Sequence, residues 1–351
     1  MITEEQKRRF TAFWNRAPID RACLSLTAWD GAPASRAPVS VDQQWGDLDY
    51  REESAVYETT HTRYFAEAFP TIFTNFGPGC FAACVGSNYL FSPHTVWFDS
   101  EPYFLKDWEN PPALEIDRNS GMYKLVEDFT RRFMTHGDRF FTSITDIGGT
   151  YDIIASLRGT ENLLYDLIDY PDEVKAFRNE LAPLWKSYFN EYASRLIKAQ
   201  GGMTSWMPIW SDTPYYPLQC DFCAMISPQM FGEFILPDLR EQTEYLDRSI
   251  YHLDGIGELP HLDQLLSLPQ LNAIQWTSGD GKPAVTDPCW FELYHRIQAA
   301  GKGLILLSAN PDELETLFKG VSQKGMFITA RVRDEQDAVA IVKMAERLNR
   351  N

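Results

Sequence analysis

No stretch of this sequence approaches about 18 uninterrupted apolar residues, so no segment reads as a membrane-spanning helix. Positive charge is scarce. The 32 Lys and Arg residues stand against 49 Asp and Glu, a formal charge of −17. Such a surface repels phosphate backbones and anionic membranes, and no Lys/Arg cluster offsets it, so no nucleic-acid and no membrane partner is expected. Six cysteines in 351 residues are too few for a disulfide framework. The opening MITEEQKRRFTAFW lacks an apolar core segment and a small-residue cleavage site. A cytoplasmic protein with reduced thiols is therefore expected.

There is ample material for a core. The chain is 44% hydrophobic and 14% aromatic, with an ordinary 23% charged residues. It shows no fixed-period repeat and no low-complexity tract. Short β-branched or aromatic runs alternate with longer helical patterns. Candidate strands are Cys23–Ala28, Thr71–Phe76, Ser143–Ile147, Met203–Met207, Ile250–Asp254, Ala273–Trp276, Leu304–Ser308 and Met326–Val332. Helices open at Ser227-Pro228, at Asn310-Pro311 and at Asp334, and Pro171–Gln200 reads as one long amphipathic helix. In the last helix Ala338, Ile341, Val342, Ala345 and Leu348 form one apolar stripe.

Alternating strands and helices in this length predict an α/β fold, a (β/α)₈ barrel in one domain over residues 1–351. An N-terminal helical extension precedes it, and an aromatic- and proline-rich insertion at about 77–120 is expected to form a lid. An open doubly wound sheet would want a glycine-rich phosphate turn, and Trp29–Ser35 (WDGAPAS) lacks GxGxxG spacing.

Barrel chemistry sits at the C-terminal strand ends. His252 and Asp254 lie at i and i+2 on one strand, so both face the mouth, where they can ligate a metal or share a proton. The plainer alternative is a histidine bonded to a turn and an aspartate capping the next helix. Asp146, Asp221 and Asp254 supply carboxylates for acid–base work. Asp152 reads equally well as a helix N-cap, with Arg158 as its ion-pair partner. Cys220-x-x-Cys223 has no second such pair, and Cys223 reads as core, leaving Cys220 as the candidate ligand. Cys80 and Cys84 read as one buried helical face. Trp206, Trp210, Tyr216 and Trp276 suggest a flat apolar pocket, with Asn75, Phe76, Gln275 and Arg158 completing a substrate-binding set. A glycosidase is disfavoured, because the fourth and seventh strand ends carry no carboxylate.

Several segments together resemble the uroporphyrinogen decarboxylase superfamily. They are Gln219-Cys220-Asp221-Phe222-Cys223-Ala224-Met225-Ile226-Ser227-Pro228, Tyr251-His252-Leu253-Asp254-Gly255, Gly149-Thr150-Tyr151-Asp152 through Leu164, and the Asn75–Gly79 turn. The resemblance covers roughly Thr71 to Ala309. It implies a (β/α)₈ barrel housing either heme-pathway decarboxylation or cobamide-dependent methyl transfer. The arginine-rich RQAGR motif of the decarboxylases is missing, since Ala28–Arg36 offers only Arg36, so an octacarboxylate substrate is disfavoured.

The methyltransferase branch implies zinc held by His-x-Cys and a later cysteine. Here His252 matches, Asp254 replaces the second ligand, and Thr329-Ala330-Arg331 stand where the third is sought. The resemblance therefore implies a methyl transfer between a small organic substrate or thiol and a corrinoid, carried by this chain or by a partner corrinoid protein. Zinc would sit on His252, Asp254 and Cys220, with Asp146 and Asp221 orienting the substrate. The alternatives are a metal-free decarboxylase or lyase anchored by Arg158 or Arg331, and a non-catalytic small-molecule-binding barrel. Monomer and homodimer both stay open.

Overall fold

The computed structural model describes residues 2–17, 19–98 and 101–349. In chain order its strands are β1 (Cys23–Trp29), β2 (Thr62–Ala66), β3 (Thr71–Ile72), β4 (Leu90–Phe91), β5 (Val96–Trp97), β6 (Phe141–Thr142), β7 (Tyr215–Leu218), β8 (Arg248–Asp254), β9 (Ala273–Thr277), β10 (Gly303–Ala309) and β11 (Met326–Arg331). Seven of them form a central sheet in the order β2–β1–β11–β10–β9–β8–β7. Every neighbouring pair is parallel except β1 with β2. β3 and β6 form a separate parallel pair, and β4 with β5 a short antiparallel one. The fold is thus α/β, with helices bridging successive parallel strands.

Parallel strands covered on both faces read as near-continuous apolar runs, and β10 and β11 do so. Leu304, Ile305, Leu306, Phe327 and Ile328 are fully buried. The long helix Pro171–Gln200 has the bounds its sequence predicts, with proline at its first position and Gly201 at φ 69° ending it. Ala338, Ile341 and Ala345 bury the inner stripe of the last helix, Glu335–Leu348. Cys80 and Cys84 lie buried on the helix Cys80–Cys84.

Three expected strands do not form as the pattern predicts. Thr71–Phe76 shrinks to Thr71–Ile72, and Ser143–Ile147 forms no strand, the pairing falling just before it at Phe141–Thr142. At Met203–Met207 the described ladder bond is an antiparallel bridge from Met203 to Ser211. The parallel strand beside β8 is Tyr215–Leu218 instead, an edge strand that tolerates Pro217. Its two tyrosines bond to the backbone of both irregular segments. The Tyr215 hydroxyl accepts from Ser205 N–H at 3.0 Å and donates to the Ile209 carbonyl at 2.7 Å. The Tyr216 hydroxyl accepts from Ile147 N–H at 2.6 Å and Gly148 N–H at 3.2 Å. These side-chain bonds stand beside backbone ones, from Ser143 N–H to the Ile72 carbonyl at 2.9 Å and from Ile144 N–H to the Thr204 carbonyl at 3.0 Å.

The N-terminal helix Glu4–Trp14 opens with a Thr3–Gln6 capping box and buries Phe10, Phe13 and Trp14. Beneath it lies a buried ion pair. Arg21 donates to both oxygens of Glu67 at 2.6 and 2.7 Å, and Leu24 N–H donates to the same carboxylate at 2.6 Å. Truncating one partner strands the other charge in the interior. Glu67→Ala is therefore expected to cost about 3–5 kcal/mol, read by urea denaturation. A loss under about 1 kcal/mol would mean that water reaches Arg21 in the variant.

Candidate metal and substrate site

The site gathers where three loops meet at the C-terminal strand ends. Glycines permit the approach. A Cβ on Gly148, at φ 84°, would stand 2.7 Å from the Gly79 Cα, and one on Gly149 would stand 2.0 Å from the Gln219 carbonyl oxygen. Side chains there would force apart the loops that carry Asp146, Asp152 and Asp221.

On β8, His252 and Asp254 share a face, as their spacing requires. Asp221, at the start of the turn Asp221–Met225, meets them from the loop after β7. One ligand atom from each of the three lies within 4.8 Å of the others. The orienting partner of His252 is Gln275, its register neighbour on β9. The Gln275 amide nitrogen donates to Thr277 Oγ1 at 2.9 Å, which turns its oxygen toward the imidazole. That oxygen only accepts, so His252 Nδ1 carries the proton of a close hydrogen bond, and Nε2 is the nitrogen left for a ligand. Trp206 stands edge-on to His252, with ring centroids 5.0 Å apart.

Around this trio the carboxyls hold their protons unusually well. Burial pushes Asp146 up to about 6, against hydrogen bonds from the Tyr216 hydroxyl at 2.8 Å and Gly148 N–H at 3.0 Å. Asp152 rises to about 8 through burial and the charge of Asp221. Its Oδ1 accepts from Phe222 N–H at 2.9 Å, while its Oδ2 is buried without a partner. Asp221 is raised by desolvation, with the His252 charge opposing and the Asp254 charge adding. Glu258 is fully buried and pushed up to about 11, chiefly by burial. It accepts from the Tyr251 hydroxyl at 3.1 Å, and its other oxygen has no partner.

The structure therefore brings together His252, Asp254, Asp221, Gln275 and Trp206, with Asp146 close enough to feel the charges of Asp221 and His252. It does not bring in the other expected residues. Cys220 is buried beside Cys223 and outside the donor group, its thiol held well above the usual range by burial. Trp276 is the register partner of Leu253, so it faces away from the His252–Gln275 side and packs on Trp290 at 5.0 Å.

Trp210 lies at the opposite end of the sheet. Its carbonyl accepts from Trp14 Nε1 at 2.9 Å, and the adjacent Ser211 binds Arg248 at the start of β8. Phe76 is core, edge-on to Phe129 at 5.0 Å, and Asn75 closes its own turn by accepting from Gly77 N–H at 2.9 Å. Tyr216 acts by positioning Asp146. Arg158 pairs with Asp166 at 2.6 Å, not with Asp152, and donates to the Leu105 and Lys106 carbonyls.

Glu258 is the residue that sequence reasoning missed. Nothing in Gly255-Ile256-Gly257-Glu258 announces a fully buried acid.

Two cavities flank the trio. One of about 230 Å³ is lined by Asp152 and Asp221 with Pro78, Trp97, Phe98 and Met225. The other, of about 520 Å³, reaches Trp206 from the β1–β11 side. A one-nitrogen, two-oxygen donor set with an open side suits a divalent ion such as zinc that keeps a free position.

No family model matches the sequence, and no curated protein matches it. Among solved structures, a methyltransferase from Methanosarcina mazei is similar over 98% of this chain and 98% of its own, with a TM-score of 0.60 and 12% sequence identity. At that identity the likeness shows the fold. No described helix is long and apolar enough to cross a membrane.

Proposed function

We propose that the protein is a cytoplasmic methyltransferase on a (β/α)₈ barrel of the uroporphyrinogen decarboxylase type. It moves a methyl group between a corrinoid, bound here or on a partner protein, and a small organic substrate or thiol. The observation that carries this reading is the convergence of Asp221, His252 and Asp254 within 4.8 Å at the strand ends. The near end-to-end likeness to a methyltransferase supports it.

In this reading the three side chains hold a divalent ion, and Gln275 keeps His252 in the ligating tautomer. Zinc bound there would keep a thiol acceptor ionised at neutral pH. Asp146, held by Tyr216, and Asp152, protonated below about 8, serve the substrate as acceptor and donor of hydrogen bonds. Trp206 walls the centre on one side.

The test supplies methylcobalamin and small thiols or folate-type acceptors to zinc-loaded protein and follows loss of the methyl–cobalt absorbance. Turnover is expected. Folded, zinc-loaded protein that shows none, even with its corrinoid partner, sinks the reading. A second reading, metal-free decarboxylation, draws on the raised carboxyls of Asp146 and Asp152 as proton donors, with Arg331 and not Arg158 free to anchor a carboxylate.

A further inference from the structure

The cavity of about 520 Å³ is walled by the C-terminal ends of β1, β10 and β11. The β1–β11 register sets Ser25 beside Thr329 and Thr27 beside Arg331. Alternation puts all four on one face, so a patch of hydroxyls ends in a guanidinium. Among the described residues lining the cavity, Arg331 is the one charged side chain. In a chain with formal charge −17 it forms no ion pair with any described residue. Arg51 offers a contrast: it lies over the rings of Phe76 and Phe129 and gives its hydrogen bonds to backbone carbonyls.

Two further lining residues carry unsatisfied polar atoms. Trp206 Nε1 and Thr71 Oγ1 are both buried without a hydrogen-bond partner. Buried polar groups are rarely left so, and a ligand oxygen is what an indole N–H lacks. The wall is also strained. Ser308 sits at φ 56°, the β10 ladder shifts register between Leu306 and Ala309, and Ser308 N–H is caught by Thr329 Oγ1 at 2.8 Å. Non-glycine residues hold that conformation where the surrounding structure imposes it, commonly at ligand sites.

We propose that this cavity holds the anionic end of a small organic substrate, a carboxylate, with Arg331 as its counter-charge and Trp206 and Thr71 as further partners. A guanidinium fork matches a carboxylate in two parallel hydrogen bonds. The volume suits a small molecule. Because Trp206 touches both the cavity and His252, a ligand anchored on Arg331 extends its other end toward Asp221, His252 and Asp254. As a statement about the substrate this rests on the methyl-transfer reading, and as a statement about anion binding it does not.

Calorimetry with glutarate and its neutral analogue glutaramide, on metal-free protein, separates the two. Glutarate is expected to bind and glutaramide not. Arg331→Ala should weaken glutarate by roughly tenfold or more, Arg331→Lys by less, and Thr71→Val by a smaller factor still. Arg331 is exposed, so these variants should keep the wild-type circular dichroism and melting point. Equal binding of the two probes, no binding of either, or wild-type affinity in Arg331→Ala overturns the proposal. Arginine-dependent glutarate binding beside a failed methylcobalamin assay would leave the anion site standing and remove the methyl-transfer reading.

Discussion

Replacing His252 by alanine is expected to strip the protein of its divalent metal. Asp221, His252 and Asp254 offer three donor atoms within 4.8 Å, and two carboxylate oxygens alone make a poor zinc site. Removing an outer partner of a metal ligand typically costs ten- to a hundredfold in affinity, so loss of the ligand itself should cost more than about a hundredfold. Mass-spectrometric metal analysis should find about one ion per chain in the wild type and almost none in His252→Ala. Gln275→Leu frees the imidazole to turn and should weaken binding by roughly tenfold. Cys220→Ser is the discriminating control: Cys220 lies outside the donor group, so its loss should leave metal content unchanged. Metal that stays in His252→Ala but leaves in Cys220→Ser would relocate the centre to the cysteines.

Acidification should release the ion. The Asp221 carboxyl is raised from its ordinary range, so it takes up a proton, and stops ligating, at a higher pH than an unperturbed aspartate would.

Stability should fall as pH rises, and Glu258 should be a principal reason. Its folded value of about 11 lies far above that of an unfolded glutamate. Through the neutral range the folded chain keeps a proton that the unfolded chain has given up. The stabilisation is complete below the unfolded value and drains away as pH climbs toward the folded one, at about 1.4 kcal/mol per pH unit. Between about pH 5.5 and 7.5 this single group should remove on the order of 2.7 kcal/mol.

Glu258→Gln keeps the shape and the acceptor for Tyr251 without the titration. Its unfolding free energy in urea should be flatter across that window by the same amount. Asp152→Asn should flatten the slope up to about pH 8, where the folded carboxyl itself ionises. An unchanged slope in Glu258→Gln would mean that Glu258 is already ionised in the folded chain.

Much of this protein is written in local pattern. The apolar runs at β8 to β11, the Pro171–Gln200 helix with its proline start and glycine stop, and the buried stripe of the last helix follow from periodicity and caps that act within a few residues. The pairing of His252 with Asp254 follows from the two-residue period of a strand, and that part of the site needed no fold to be seen. Local pattern fails at Ser143–Ile147 and Met203–Met207, which form no regular strand. Tyr215 and Tyr216 bond to the backbone of both segments.

The rest was decided by tertiary structure. Register puts Gln275 beside His252 and turns its neighbour Trp276 to the opposite face, a one-residue distinction that composition cannot make. Loop approach at Gly148 and Gly149 delivers Asp221, not Cys220, to the donor group. Burial alone separates Glu258 from the many solvated acids, because a proton's affinity for a carboxyl depends on the medium around it and not on its neighbours in the chain. The sequence by itself determined strands β8 to β11, the long helix and the last one, and the placing of His252 and Asp254 together at a strand end. Which other groups meet them, which keep their protons and which face an open cavity were settled by the packing of segments far apart in the chain.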